Sequence, residues 1–190
     1  MSEVNWKKKI VESVERITSD YDSVGRKSGS PLLAVVFPPY YEKEVLREWM
    51  LQIDRYSDRF EFLEINVLDV TMAQVDSIGI DGIVNILKEP MPGSNPENEL
   101  GQMWVSAIVD SIRAKYVSAD KMRKTVIFLT RLGALYPASG PRLVMQALWD
   151  NPANILAGPI VFLIPGSLIE ARVYKFLDLV EEFMYRGDVV

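Results

Sequence analysis

Side chains able to do chemistry stand just after four apolar runs of this sequence. They are Tyr40 and Tyr41 in "FPPYYEKE", Asp69 in "NVLD", Thr130, Arg131 and Tyr136 in "TRLGALYP", and Ser167 after Pro165 and Gly166 in "PGSL". As a set they offer three kinds of chemistry. Arg131 with backbone amides near Ser167 could hold an anion, Asp69 or Glu64 could act as a general acid or base, and the phenols and prolines could form a docking patch. The sequence contains no histidine and no cysteine, which excludes imidazole bases, thiol nucleophiles, disulfides and thiolate or imidazole metal ligands. Carboxylate, lysine, tyrosine and hard-metal chemistry remain.

The apolar runs must position these residues. "LLAVVF" (Leu32–Phe37), "FEFLEINVLDV" (Phe60–Val70), "TVIFLT" (Thr125–Thr130) and "GPIVFLI" (Gly158–Ile164) read as strands, three of them continuous enough to be covered on both faces. Helical stripes alternate with them: Trp6, Ile10, Val14 and Ile17 in a first helix over about residues 3–20; then Val45, Leu46, Trp49, Met50 and Ile53; then Met103, Trp104, Ala107, Ile108 and Ile112. A weaker, glycine-interrupted helix is expected before Glu89. Ser139 and Pro141 fit the start of another helix, and "SLIE" has the Ser167–Glu170 spacing of a capping box opening a last one. "SVGRKSGSP" and the proline-rich "PMPGSNPENELG" (about 90–101) read as loops, and "GDVV" as a short edge strand. Apolar strands alternating with helices predict one α/β domain over residues 1–190, a three-layer αβα sandwich with a mainly parallel sheet. In such a sheet the four strand exits share one rim, where ligands bind.

A nucleotide site at that rim has definite requirements. A phosphate loop needs glycines whose amides wrap the phosphates, a lysine and a hydroxyl. "FPPYYEKE" has no glycine, and its prolines have no amide to give. The third strand ends in Thr130 and Arg131 rather than the acidic pair that would hold magnesium. No glycine-rich dinucleotide turn follows any strand. A working P-loop ATPase is therefore not expected, a relic resembling a P-loop NTPase core without the phosphate loop stays compatible with the pattern, and no catalytic, cofactor or metal residue is assigned. Asp69 and Arg131 are expected to pair with each other or with backbone groups.

Composition narrows the partners. With 26 acidic and 21 basic side chains the net charge is −5, which opposes binding to phosphate backbones unless cations are segregated. The runs at Lys7–Lys9 and Lys121–Lys124 read as solvated rims, so no direct nucleic-acid binding is expected. No apolar run reaches the roughly 20 residues of a membrane span, and the first ten residues lack a secretory core, so a cytoplasmic protein is expected.

Four stretches together carry a resemblance. "VFPPYYEKEVLREWM", "FLEINVLDV", "VIFLTRLGALYPASGPRLVMQAL" and "GPIVFLIPGSLIEARVYKFLDLVEEFMYRGDVV" run in order from about Phe37 to the C-terminus. They resemble the BrxB family of the BREX bacteriophage-exclusion systems. The most specific pieces are the turn "FLT-x-x-GA-x-YP", met by Thr130, Gly133, Tyr136 and Pro137, and the strand "P-x-VFLIPG", met by Pro165 and Gly166. The segment after Gly166 departs from the family pattern, with a helical-looking stretch in place of a tyrosine- and asparagine-rich ending. The resemblance implies a role in phage defence beside a DNA methyltransferase, a large ATPase and PglZ, an alkaline-phosphatase-like protein that is the expected partner. It favours reading the rim (Tyr40, Tyr41, Asp69, Thr130, Arg131, Tyr136, Pro165, Gly166, Ser167) as a docking surface of a non-catalytic scaffold. The alternative is a degenerate nucleotide- or anion-binding regulatory subunit, or weak hydrolase, using the same rim.

Overall fold

The alternation of apolar side chains along three strands sets the layering. A computed structural model describes residues 3–24, 30–150 and 157–190. Strands β1 (Leu32–Phe37), β2 (Phe60–Asn66), β3 (Lys124–Thr130) and β4 (Ile160–Glu170) pair in parallel in the order β2-β3-β4-β1, and β7 (Asp188–Val189) adds a parallel edge beside β1. Leu33, Val35, Phe37, Val126, Phe128, Val161 and Leu163 point to one face, where helices α1 (Glu3–Ser19) and α2 (Glu42–Asp54) bring Trp6, Ile10, Val45 and Trp49. Leu32, Ala34, Val36, Ile127, Leu129, Ile160 and Phe162 point to the other, against α5 (Pro96–Ser118) and α6 (Pro141–Asp150). Every residue of β1 is buried, as a strand covered on both faces must be. This is the α/β three-layer sandwich with a mainly parallel sheet expected from the sequence.

Local chemistry places several boundaries away from their expected positions. β2 ends at Asn66, not Val70, because the Asn66 side chain accepts from the Leu68 amide at 3.1 Å and caps α3 (Val67–Ile78). Gly79, at φ 85°, breaks that helix from α4 (Ile80–Lys88), and the two meet at 81°. The expected loop 90–101 is shorter. Asn95 accepts from the Asn98 amide and Pro96 fills the first turn of α5, so Leu100 and Gly101 are helical. Gly101 is fitted to its place, since a Cβ there would lie 2.1 Å from the Ala138 carbonyl oxygen. Met50 and Met103, expected inward, are 49% and 43% exposed. Residues 25–29 of the first expected loop lie outside the described residues.

The largest departure is at the C-terminal end. No helix starts at Ser167. β4 instead runs on to Glu170 and turns into the antiparallel strands β5 (Val173–Phe176) and β6 (Val180–Phe183). Tyr174 and Phe176 alternate with exposed Lys175, so period two prevails over the capping-box spacing. Leu177 and Asp178 make the turn with φ of 53° and 59°.

Gly166 sits at the point where β4 leaves the parallel sheet, and a Cβ there would lie 2.2 Å from the Lys175 carbonyl oxygen. Gly133 has only Leu177 Cδ2 nearby, at 3.5 Å. Gly166→Ala is therefore expected to lose about 1–3 kcal/mol or more in urea unfolding, and Gly133→Ala far less. Equal losses would contradict this placement of the arm.

Candidate functional site

The strand order reverses at β1: its crossover, α2, lies on one face, whereas α6, which joins β3 to β4, lies on the other. The crevice that receives ligands in open α/β sheets should thus open between the exits of β1 and β3, above β4. Each of the three exits is occupied by the protein's own groups.

At the exit of β1, Pro38 is extended (φ −61°, ψ 131°) and Pro39–Tyr41 form one 3₁₀ turn, closed by the Tyr41 amide donating to the Pro38 carbonyl at 3.0 Å. Two successive residues lack an N–H, and the Tyr41 amide is spent within the turn, so the turn cannot cradle phosphate oxygens. Tyr41 is half-buried, its ring centroid 5.7 Å from that of Trp6 and 4.4 Å from that of Tyr40, which leaves Tyr40 71% exposed.

At the exit of β3, Thr130 is buried and its hydroxyl donates to Glu64 Oε1 on the neighbouring strand at 2.6 Å. Arg131 takes the left-handed conformation (φ 56°) and reaches Glu42, at the start of α2, with Nη1 to Oε2 of 2.9 Å. Asp69 and Arg131, expected to pair with each other or with backbone groups, do not pair with each other. Asp69 lies exposed in the first turn of α3, where its charge favours the helix N-terminus. The partly exposed Arg131–Glu42 pair adds little stability, but it neutralises the cation that an anion would need. Leu132–Leu135 form a second 3₁₀ turn with two buried leucines, followed by half-exposed Tyr136 and the cis Tyr136–Pro137 bond.

Above β4 the crevice is taken by β4 itself. Phe37 pairs with Pro165 in register; beyond it, Gly166 and Ser167 pair with Phe176 and Lys175 of β5. Ser167 is thus a strand residue, and the helix-start amides expected to hold an anion beside it do not exist. The arm folds back on the rim: the Leu177 amide donates to the Pro165 carbonyl at 2.8 Å. Glu182 from β6 accepts from the Arg142 amide at 3.0 Å, supplying the cap of α6. The expected cap, Ser139, does not do so, and its buried hydroxyl has no hydrogen-bond partner.

Glu182 is the residue that sequence reasoning missed most completely. It is 8% exposed, and its Oε2 also accepts from the buried Tyr174 hydroxyl at 2.6 Å. Burial raises its pKa, while the bonds from Tyr174 and Arg142 pull the other way. The same burial, with the adjacent Glu182 charge, pushes the Tyr174 phenol far above its ordinary value. The alternation "VYKFLDLVEEF" around a Leu-Asp turn carried the hairpin signal. Glu42 was legible only as a charge on a helix, and Glu64, read as a candidate acid or base, instead accepts from Thr130.

The rim therefore gathers Tyr40, Tyr41, Thr130, Arg131 and Pro165 beside one another, sets Tyr136 one turn further out, carries Gly166 and Ser167 onward along β4 into the antiparallel arm, and leaves Asp69 on α3. Among the described residues no group of three or more acidic side chains is placed to hold a metal ion. No single helix among them is long and apolar enough to cross a membrane.

No family model and no curated protein matches this chain. A solved structure that does match is titled "Structure of Drosophila ORC bound to DNA", at 19% identity and a TM-score of 0.37, over 81% of this chain. The chain spans 37% of the length of that one. A likeness of this size carries no argument about activity or partners.

Glu182→Ala is expected to remove a helix cap and strand the Tyr174 hydroxyl, costing about 2–4 kcal/mol in denaturant unfolding. The raised pKa also fixes a sign. The folded protein holds the Glu182 proton more tightly than the unfolded chain does, so this group's stabilisation is complete below the ordinary carboxylate pKa of about 4.3. It is lost as pH rises through the raised value. The stability of the wild type relative to Glu182→Gln should fall as pH rises across the weakly acidic range, then level; a rise would contradict the burial of this carboxyl.

Proposed function

We propose that this protein is a non-catalytic assembly component of a BREX-type phage-defence complex in the cytoplasm, related to the BrxB family and docking a larger, PglZ-like partner. The observation that carries the non-catalytic reading is the filled crevice. β4 continues through the place where a ligand would sit, Arg131 is neutralised by Glu42, and the turn after β1 offers prolines where phosphate-binding amides would be needed. A scaffold has no need of an open crevice. It needs a rigid sheet and rigid, partly apolar side chains at the surface, and tyrosines beside prolines supply contact area at low entropic cost. Tyr40 and Tyr136 are the two rim tyrosines with substantial exposure, at 71% and 43%. The partner assignment rests on the motifs around Thr130–Pro137 and Pro165–Gly166.

The test is purification of the tagged protein from cells carrying the whole gene cluster. The PglZ-like protein is expected to co-purify, and the double variant Tyr40→Ala/Tyr136→Ala to retain about tenfold less of it while melting like the wild type. Absence of that partner from the wild-type eluate would overturn the assignment.

A further inference from the structure

Charge and apolar exposure concentrate on one elbow of the molecule, built from α3, α4 and the start of α5. Between Val67 and Leu100 there are six carboxylates, Asp69, Asp76, Asp81, Glu89, Glu97 and Glu99, and a single cation, Lys88. The whole chain has 26 acidic and 21 basic residues, so the remaining residues hold twenty of each sign. The entire net charge of −5 thus resides in this segment. The same segment contains α4, which buries none of its residues although it is largely apolar.

Between α4 and the start of α5 lies a groove walled by Ile78, Ile83, Ile86, Leu87, Leu100 and Met103, with Glu99 at its edge. Ile86 is 52% exposed and Met103 43%. At about 80 Å³ the groove falls well below the roughly 300–1,000 Å³ of small-molecule sites. It has room for side chains entering from a surface laid against it. Aliphatic walls with a methionine among them can repack around such side chains.

From this we infer that the α3–α4–α5 elbow receives a basic amphipathic helix of a partner protein, its apolar stripe in the groove and its lysines or arginines facing the surrounding carboxylates. Helix-in-groove recognition needs an apolar trough, and charge complementarity selects the sign of the rim that meets it. The same charge argues against the other occupants. A second copy would bring six more carboxylates to the contact, and an anionic lipid surface would repel it. The inference rests on the reading of this protein as a docking component, but concerns a groove that neither Tyr40 nor Tyr136 lines.

The test titrates the full chain with a leucine–lysine amphipathic peptide longer than about 15 residues, so that it is helical, and with its leucine–glutamate counterpart. The lysine peptide is expected to bind, more weakly as salt is raised, and the glutamate peptide not to bind. Ile86→Asp, on an exposed position, should weaken binding about tenfold without changing the melting temperature, whereas Val117→Asp, exposed elsewhere on α5, should leave it unchanged. Asp76→Asn/Asp81→Asn should flatten the salt dependence. Equal binding of both peptides or indifference to Ile86→Asp would overturn the inference. So would co-sedimentation with phosphatidylserine vesicles, or dimerisation broken by Ile86→Asp. Those outcomes would leave the rim-docking reading standing, because the pull-down compares variants of Tyr40 and Tyr136, neither of which lines the groove.

Discussion

β4 lies between β1 and β3, and how far it runs past them decides what the carboxyl edge of the sheet can do. Its first six residues pair in register with Leu32–Phe37 on one side, and three of them with Ile127–Leu129 on the other. Apolar side chains on both faces of all three strands lock that register, because a one-residue slip would exchange the two cores. With β4 fixed, its continuation through Gly166 must leave over the crevice between the neighbouring exits. The antiparallel arm that follows then ties the edge shut with the Leu177–Pro165 hydrogen bond and the Glu182 cap on α6.

A buried carboxylate shared between a phenol and a helix N-terminus is costly to desolvate, so its partners must be well placed. Gly140 shows how close that fit is: a Cβ there would lie 2.0 Å from Glu182 Oε1. The arm is therefore part of the fold's core rather than an appendage. Phe176 and Met184 belong to the same apolar cluster as Ile127 and Leu129 of β3 and Phe162 and Ile164 of β4.

The sheet and its two covering layers were legible because continuous apolar strands and 3.6-period stripes have few other interpretations; Trp6, Ile10, Val14 and Ile17 all proved buried. The missing phosphate loop was legible because proline removes amides whatever the tertiary context. The arm was not legible. "SLIEARVYKFLDLVEEF" satisfies a capping box and helical spacing as well as strand alternation, and only the pairing of Gly166 with Phe176 decides between them. The rim contacts were half legible. Arg131 was expected to pair with Asp69 or with backbone groups and pairs with Glu42, because where Asp69 lies depends on where β2 ends, and Asn66 sets that by capping α3.

The central claim is that the strand-end crevice is closed by the protein's own groups. Amide nuclear magnetic resonance of the uniformly labelled protein titrated with magnesium-ATP tests it most directly. The account predicts that the signals of Asn66, Thr130, Arg131, Gly133, Gly166 and Ser167 stay in place up to millimolar nucleotide. Saturable shifts clustered on those six amides would contradict it.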